Sequence, residues 1–464
     1  MTNNQHKIQH LHWRAGFGPR QFVRADTKLE DEISVLLKNS KNVEPLQLKN
    51  WDPALAKEIK NMNAEERAAY RKQERQARLQ INQDIQNRYA YGSNSLRDKI
   101  TLFWMGHFAC RIANPVFIIK YYNTINNHAL GKFSDLLKAM IRNAALLQYL
   151  NNNQNRKSNP NENFARELME LFTLGIGNYN ETDVKEGARS LTGWGFDRMG
   201  EFTIRNEHHD TGIKNFLGEQ GNFNGDDIVR IILSNKQCAR FITSRIYAYF
   251  VNDVMNEKII NELSNKFYAS GYDLDALMKN IFTSEWFYDE INTGSQIKSP
   301  LVLLTGIIRN FHIKFENPMM PVQLYKILGQ QLFDPPNVAG WSGGKSWIDS
   351  STLLYRMRLP ELLLQEAESI MAPKDEFDNM ESFRVDKTTS RKVKTSFETT
   401  GFEKMFATIP QEKVPVEIMN YLLQVAADSR QVQLIQNLTA SDNGKEKIFK
   451  TAIYVMSLPE YQLC

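Results

Sequence analysis

The chain has 464 residues, 42% hydrophobic and 24% charged, with a formal charge of only +4. That composition suits a globular protein with a large buried core, over a length that permits about two to four domains. The small net charge gives no general electrostatic case for binding nucleic acid or an acidic membrane.

Cys110, Cys238 and Cys464 are too few and too scattered for a disulfide framework or a cysteine zinc site. No run approaches the roughly 18 apolar residues of a membrane span. The opening MTNNQHKIQHLHWRAGFG lacks the apolar region of a secretory signal. Taken alone this argues for a cytoplasmic protein, although export with a signal-bearing partner would leave no trace in the sequence. His6, His10 and His12 near the start carry little weight as ligands, because chain ends are usually mobile.

In chain order the periodicity is helical almost throughout, predicting a mainly α, multi-helix body. A first helix spans 29–38. A long charged segment over about 53–91 interleaves Arg67, Arg71, Lys72, Arg75 and Arg78 with Glu65, Glu66, Glu74 and Asp84. It reads as a solvated helix laced with i,i+4 pairs rather than a nucleic-acid arm. Apolar helices follow at 97–112 and 130–150, then an Asn-rich loop. Asn159 to Gly175 reads as one complete helix, with Asn159 as N-cap, Pro160 at the first position, Glu162 as capping-box acid and Gly175 as left-handed exit. Thr182 is expected to cap a short helix ending at Gly193. At most a small β-hairpin is expected near 200–217. Helices resume over 226–256, 271–290 and 296–312, an irregular Pro/Gly-rich segment covers 334–349, and a further helix starts at 351. The expected domains are a helical core over 1–365, a mobile charged excursion or lid over 366–415, and a terminal helical segment over 416–464 that packs on the core.

Two decoys fail. AGWSGGKS at 339–346 has Ala339 where a phosphate loop needs its first glycine, and GIGNYN at 175–180 lacks the third glycine of a dinucleotide fingerprint.

Reactive side chains concentrate in two stretches. On the polar face of the 159–175 helix, Glu162, Arg166 and Glu170 are spaced for an i,i+4 ion-pair ladder. Glu167 and Glu170, one turn apart, could instead converge on a hard cation or act as an acid/base pair. The second stretch runs from Glu207 to Lys214. His208 or His209 with Asp210 could ligate a metal or form a carboxylate-oriented base, or the loop is simply tied down by its own hydrogen bonds. His107, on an apolar helix, reads as a satisfied core residue, with a ligand role beside Cys110 as the alternative.

Several segments together resemble one bacterial family, the domain of unknown function 1800. They are HLHWRAGFGPR, FWMGHF, HALGKFSDLL, NPNENFARELMELFTLGIGNY, ARSLTGW, HHDTGIKNFLG, KSP and PPNVAGWSGGKSW. The likeness runs from about residue 8 to 360, and the tail beyond about 365 carries none. It implies a helix-rich module without an assigned activity. Its motif positions fall on Glu162, Arg166, Glu167, Glu170, His209, Asp210 and Lys214. The family resemblance also implies a frequent neighbour similar to sulfatases and alkaline phosphatases that often carries export signals, which opens a periplasmic or surface role.

The combined expectation is a metal-assisted or acid/base hydrolase-type site between helix 160–174 and loop 207–218, acting on a small-molecule or polymer substrate. Glu167, Glu170, His209 and Asp210 would be catalytic or hold a divalent metal, with His107 a further hypothetical ligand. Arg166 and Lys214 would steady an anionic group. The alternative is a non-catalytic helical partner or scaffold for the sulfatase-like neighbour.

Overall fold

A computed structural model describes residues 3–19, 27–49, 51, 62–365 and 393–464. Helices dominate it. The first is α1 (Asn3–Arg14), followed by α2 (Leu29–Asn39), α3 (Ala64–Tyr91), α4 (Ser95–His107), α5 (Pro115–His128), α6 (Phe133–Met140) and α7 (Ala144–Tyr149). The central region holds α8 (Asn163–Glu170), α9 (Glu181–Ser190), α10 (Gly225–Ser234), α11 (Lys236–Phe250), α12 (Glu257–Ala269), α13 (Leu274–Phe282) and α14 (Pro300–Phe311). The last part adds α15 (Met320–Ile327), α16 (Ser350–Leu364), α17 (Thr400–Phe406), α18 (Val414–Leu422), α19 (Ser429–Leu438) and α20 (Gly444–Met456). One continuous apolar core joins Leu11 of α1 to Ile453 of α20.

Asn63 and Glu66 form the capping box that starts α3, which buries Tyr70, Ala77, Ile81, Ile85 and Tyr89 along one stripe. Its arginines reach outward to other elements: Arg78 donates to the Ala113 carbonyl and Arg88 to that of Glu44. Residues 52–61 of the charged segment lie outside the described residues.

The N-terminus departs from expectation, because α1 is packed rather than loose. His10 is buried against Phe287, and His12 Nε2 lies 3.1 Å from Glu32 Oε1. The 130–150 stretch breaks into α6 and α7, since the Asn143 side chain caps Ala145 and restarts the helix.

The central helix is also shorter than its sequence signals imply. Asn159 N–H donates to the Arg156 carbonyl and Asn161 N–H to Asn155 Oδ1, so Pro160 sits in a turn ahead of the helix. Asn161 Oδ1 accepts from Asn163 N–H, and Glu162 makes no cap. The exit behaves as expected. Gly175 has φ +81°, and both Leu174 and Gly175 N–H donate to the Met169 carbonyl. The N-cap of α9 is Asn180, in a capping box with Asp183, rather than Thr182.

In place of one hairpin near 200–217 there are two. β1 (Trp194–Phe196) pairs with β2 (Phe202–Ile204) in the register Trp194↔Ile204, and β3 (Lys214–Phe216) pairs with β4 (Glu219–Gly221) in the register Lys214↔Gly221. The β3–β4 turn places Leu217 and Gly218 both at positive φ, the geometry of a two-residue hairpin turn. A leucine rarely adopts that conformation, which hid the turn.

The expected excursion over 366–415 divides. Residues 366–392 lie outside the described residues. Residues 393–415 fold onto the body: β6 (Thr395–Ser396) pairs with β5 (Lys314–Phe315), and Val393, Phe402, Phe406 and Val414 are buried. Few but well-spaced apolar anchors are enough to pack that part.

Candidate functional site

α8 buries Phe164, Ala165, Leu168 and Met169 and leaves Arg166, Glu167 and Glu170 half-buried on its other side. The i,i+4 ladder forms only in part. Arg166 reaches Glu162 at 3.3 Å, but its bidentate partner is Glu181 at the start of α9, at 2.7 and 2.8 Å. Those bonds push the Arg166 guanidinium further up. Glu170 instead accepts a 2.5 Å hydrogen bond from the Tyr179 hydroxyl, which burial and this carboxylate raise to about 12.

Glu167 stands apart. Its carboxylate makes no hydrogen bond or ion pair among the described residues. Burial and the Glu170 charge push its carboxyl up, against a smaller opposing pull from Arg166. The Tyr149 hydroxyl, at the end of α7, is raised by burial. It also senses Arg111, Cys110, Asp334 and Glu167. Arg111 binds Asp334 at 2.7 Å and donates to the Pro335 carbonyl.

Two motifs distant in sequence also meet. The FWMGHF segment and the PPNVAGW segment touch where Gly340, at φ +82°, approaches Gly106. A Cβ at Gly340 would stand 2.5 Å from the Gly106 carbonyl oxygen, which only glycine tolerates.

His107 holds this arrangement from below. Its Nε2–H donates to the Phe172 carbonyl at 3.1 Å, and Phe103, Trp104, Phe108, Phe172 and Phe241 surround the ring. Burial drives its pKa down to about 3, so the imidazole is neutral. The Cys110 thiol turns away to the Ala145 carbonyl, so His107 ties α4 to the exit of α8 and gains no second ligand there.

The other expected cluster is built around α9. Asp210 is held bidentately by Arg189, at 2.8 and 3.2 Å, and accepts from Gly212 N–H. These bonds, Arg189 first, hold its carboxyl below the usual aspartate range. Glu186 takes the remaining Arg189 nitrogen. His209 Nδ1–H donates to the Thr192 carbonyl at 2.9 Å, while the Thr192 hydroxyl accepts from Asp210 N–H. The Lys214 side chain is fully buried, and its ammonium donates to the carbonyls of Asp210 and Gly212. Asp210, Lys214 and His209 Nδ1–H are therefore occupied by the fold, while His209 Nε2 and the side chains of Glu207 and His208 make no hydrogen bond or ion pair among the described residues.

No hydrogen bond or ion pair among the described residues joins Glu167 or Glu170 to His209, Asp210 or Lys214. α9 carries the anchors of both groups. Glu181 at its start binds Arg166 and Arg189 near its end binds Asp210, a separation of about 12 Å of helical rise. Through these two anchors the α8 stretch and the 207–214 loop engage α9 at different positions along its length. Among the described residues no group of three or more His, Cys, Asp and Glu side chains is arranged to hold a metal ion. Sequence reading missed Tyr149, Tyr179, Arg111 and Asp334. Tyr179 lay inside the rejected GIGNYN motif and Asp334 at the edge of the Pro/Gly-rich segment.

The architecture is that of a mainly α protein with a carboxylate face on a short central helix, and no described helix is long and apolar enough to cross a membrane. The chain belongs to the family described as Protein of unknown function (DUF1800), which it matches over residues 10–463. The match includes the tail beyond residue 365, which the motifs alone did not reach. No curated protein and no solved structure matches the chain.

Proposed function

We propose that the chain is a hydrolase-type enzyme using acid/base chemistry on the exposed face of α8, with a small molecule or polymer as substrate. Glu167 carries this reading: a half-buried carboxyl bonded to no cation, one helical turn from a second carboxylate. A carboxyl held up in this way keeps its proton closer to neutral pH and so serves as a general acid.

Glu167 then donates its proton to the departing group as that bond breaks. Glu170, oriented by Tyr179, takes the proton of the attacking water as the new bond to oxygen forms. Deprotonated Glu167 and protonated Glu170 exchange a proton with solvent to close the cycle. Arg111, partly exposed beside Asp334, steadies an anionic group on the substrate. His209, Asp210 and Lys214 act as the brace that sets α9, and through Glu181 they set Arg166.

The test is a screen of ester, phosphoester and glycoside substrates across about pH 3–8, roughly one unit beyond ordinary Glu and His values, with and without divalent cations. The reading expects turnover that falls on the alkaline side as Glu167 loses its proton, a limb that Glu167→Gln removes. Activity untouched by Glu167→Gln would overturn it. Dependence on an added cation would restore the metal-assisted form of the chemistry.

A second reading, a non-catalytic helical partner for a sulfatase-like neighbour, draws on two exposed apolar side chains close to these clusters, Ile176 at 80% and Ile213 at 61% exposed. Co-expression with that neighbour checks it. Stable capture lost in Ile176→Asp favours the partner role, and compartment would then follow the partner.

A further inference from the structure

Away from α8, four cations are buried together, with no acid among the described residues to match them. Arg14, Lys99, Lys298 and Arg356 are 1%, 5%, 1% and 0% exposed. They arrive from α1, α4, the segment before α14, and α16. The pairing of residues 296–298 with 462–464 assembles them: Lys298 N–H donates to the Gln462 carbonyl, and Gln296 and Cys464 exchange backbone hydrogen bonds.

Lys298 Nζ donates to the Tyr461 carbonyl and lies 3.7 Å from the ring centres of both Trp13 and Tyr461. Lys99 Nζ lies 3.4 Å from the Trp13 carbonyl and over Phe17. Arg356 binds Gln462 Oε1 and the Lys298 carbonyl, and Arg14 binds the Asn292 carbonyl and Ser295 Oγ.

Among the described residues none of the four is hydrogen-bonded or ion-paired to a carboxylate. The acidic groups whose attraction reaches them are Cys464 for all four and the exposed Asp253 for Arg14. These cannot balance four buried positive charges. Carbonyls and aromatic faces solvate a cation but do not neutralise it. Donors are also left over: Nε and Nη1 of Arg14, Nη1 of Arg356 and Nε2 of Gln462 are buried without a partner. Buried N–H groups of this kind are rare unless something accepts from them.

We propose that this cluster binds one small inorganic oxyanion of the phosphate or sulfate class, held by the unpartnered N–H groups of Arg14 and Arg356 and by the ammonium groups of Lys99 and Lys298. Guanidinium forks match the oxygen spacing of such anions, and the ammonium groups add charge without demanding a fixed direction. The near-complete burial selects a free ion over a bulky ester.

The empty and filled sites differ in protonation. Burial, followed by neighbouring cations, brings Lys298 down to about 7 and Lys99 to about 8. An anion among them favours their charged forms, so binding takes up protons around neutral pH and weakens as pH rises.

The experiment is calorimetry and thermal unfolding of the full-length protein with inorganic phosphate or sulfate, against chloride at equal ionic strength. It is run at pH 7 and 8.5, values bracketing the lysines above, and in buffers of different ionisation enthalpy. The expected result is a single saturable site, proton uptake, a higher Tm, and no comparable binding of glycerol 2-phosphate. Lys298→Met and Arg356→Gln weaken binding about thirtyfold or more. No saturable binding by wild type, or binding that takes up no protons, means an adventitious ion only and overturns the proposal. Both readouts come from the wild-type protein, so they stand even if a variant fails to fold. Binding of the ester as tight as that of phosphate would overturn the free-ion assignment.

Discussion

The two ends of α9 hold the same kinds of residue in opposite states. At its C-terminal end Asp210, Arg189, Glu186 and Lys214 use nearly every donor and acceptor on one another. At its N-terminal end Glu181 occupies Arg166, which leaves Glu167 beside Glu170 with no cation of its own. A polar cluster whose members are all bonded holds a fold together. One that leaves a raised carboxyl unbonded at a half-open face is where the proposed chemistry is sought. The contrast lies in which residue is left over, not in which residues are present.

The sharpest way to break the comparison is to exchange the consequences. Glu167→Gln is expected to lower turnover by about 10²–10⁴-fold with the fold intact, the range for losing a general acid or base. His209→Ala should keep turnover within about twofold, because the fold uses only its Nδ1–H. A steady-state assay on both variants decides, and the reverse ranking would move the site to the other end of the helix.

Asp210→Ala should instead cost stability, about 2–3 kcal/mol by chemical denaturation, since it strands Arg189 and frees Gly212 N–H. Tyr179→Phe removes one hydrogen bond to Glu170, and is expected to lower turnover about tenfold while changing the denaturation midpoint little.

The smallest effect is in the pH dependence of stability, where the two carboxyls have opposite signs. The depressed Asp210 contributes stability that is full above its unfolded value, near 3.8, and is lost as pH falls through its lower folded value. The raised Glu167 binds its proton more tightly when folded. Its ionisation therefore costs stability above its folded value, and that cost vanishes below its unfolded value, near 4.5. Glu167→Gln should thus stabilise at neutral pH by under about 1 kcal/mol after solvent screening, and not at pH 3.5. Paired denaturation curves at the two pH values measure it.

Helices were readable from apolar spacing, as in α2, and from a terminal glycine at the Gly175 exit of α8. They were misplaced where a local bond competed. The Asn155–Asn161 contact held Pro160 outside α8, and Asn143 cut one helix into α6 and α7. Of the candidate site, α8 displayed its own acids through their period of 3.6. Tyr149, which senses Glu167, and the Arg111–Asp334 pair beside it come from elsewhere in the chain and follow no period of α8.

The order of residues alone determined that the chain is a mainly helical member of its family and that α8 carries one apolar and one acidic face, because both follow from spacing within a single helix. Tertiary structure decided which carboxylates are neutralised, that the 207–214 loop braces α9, and that four cations from distant segments are buried together. Those outcomes depend on distances between elements, and the strength of a charge interaction is set by distance and burial rather than by position along the chain.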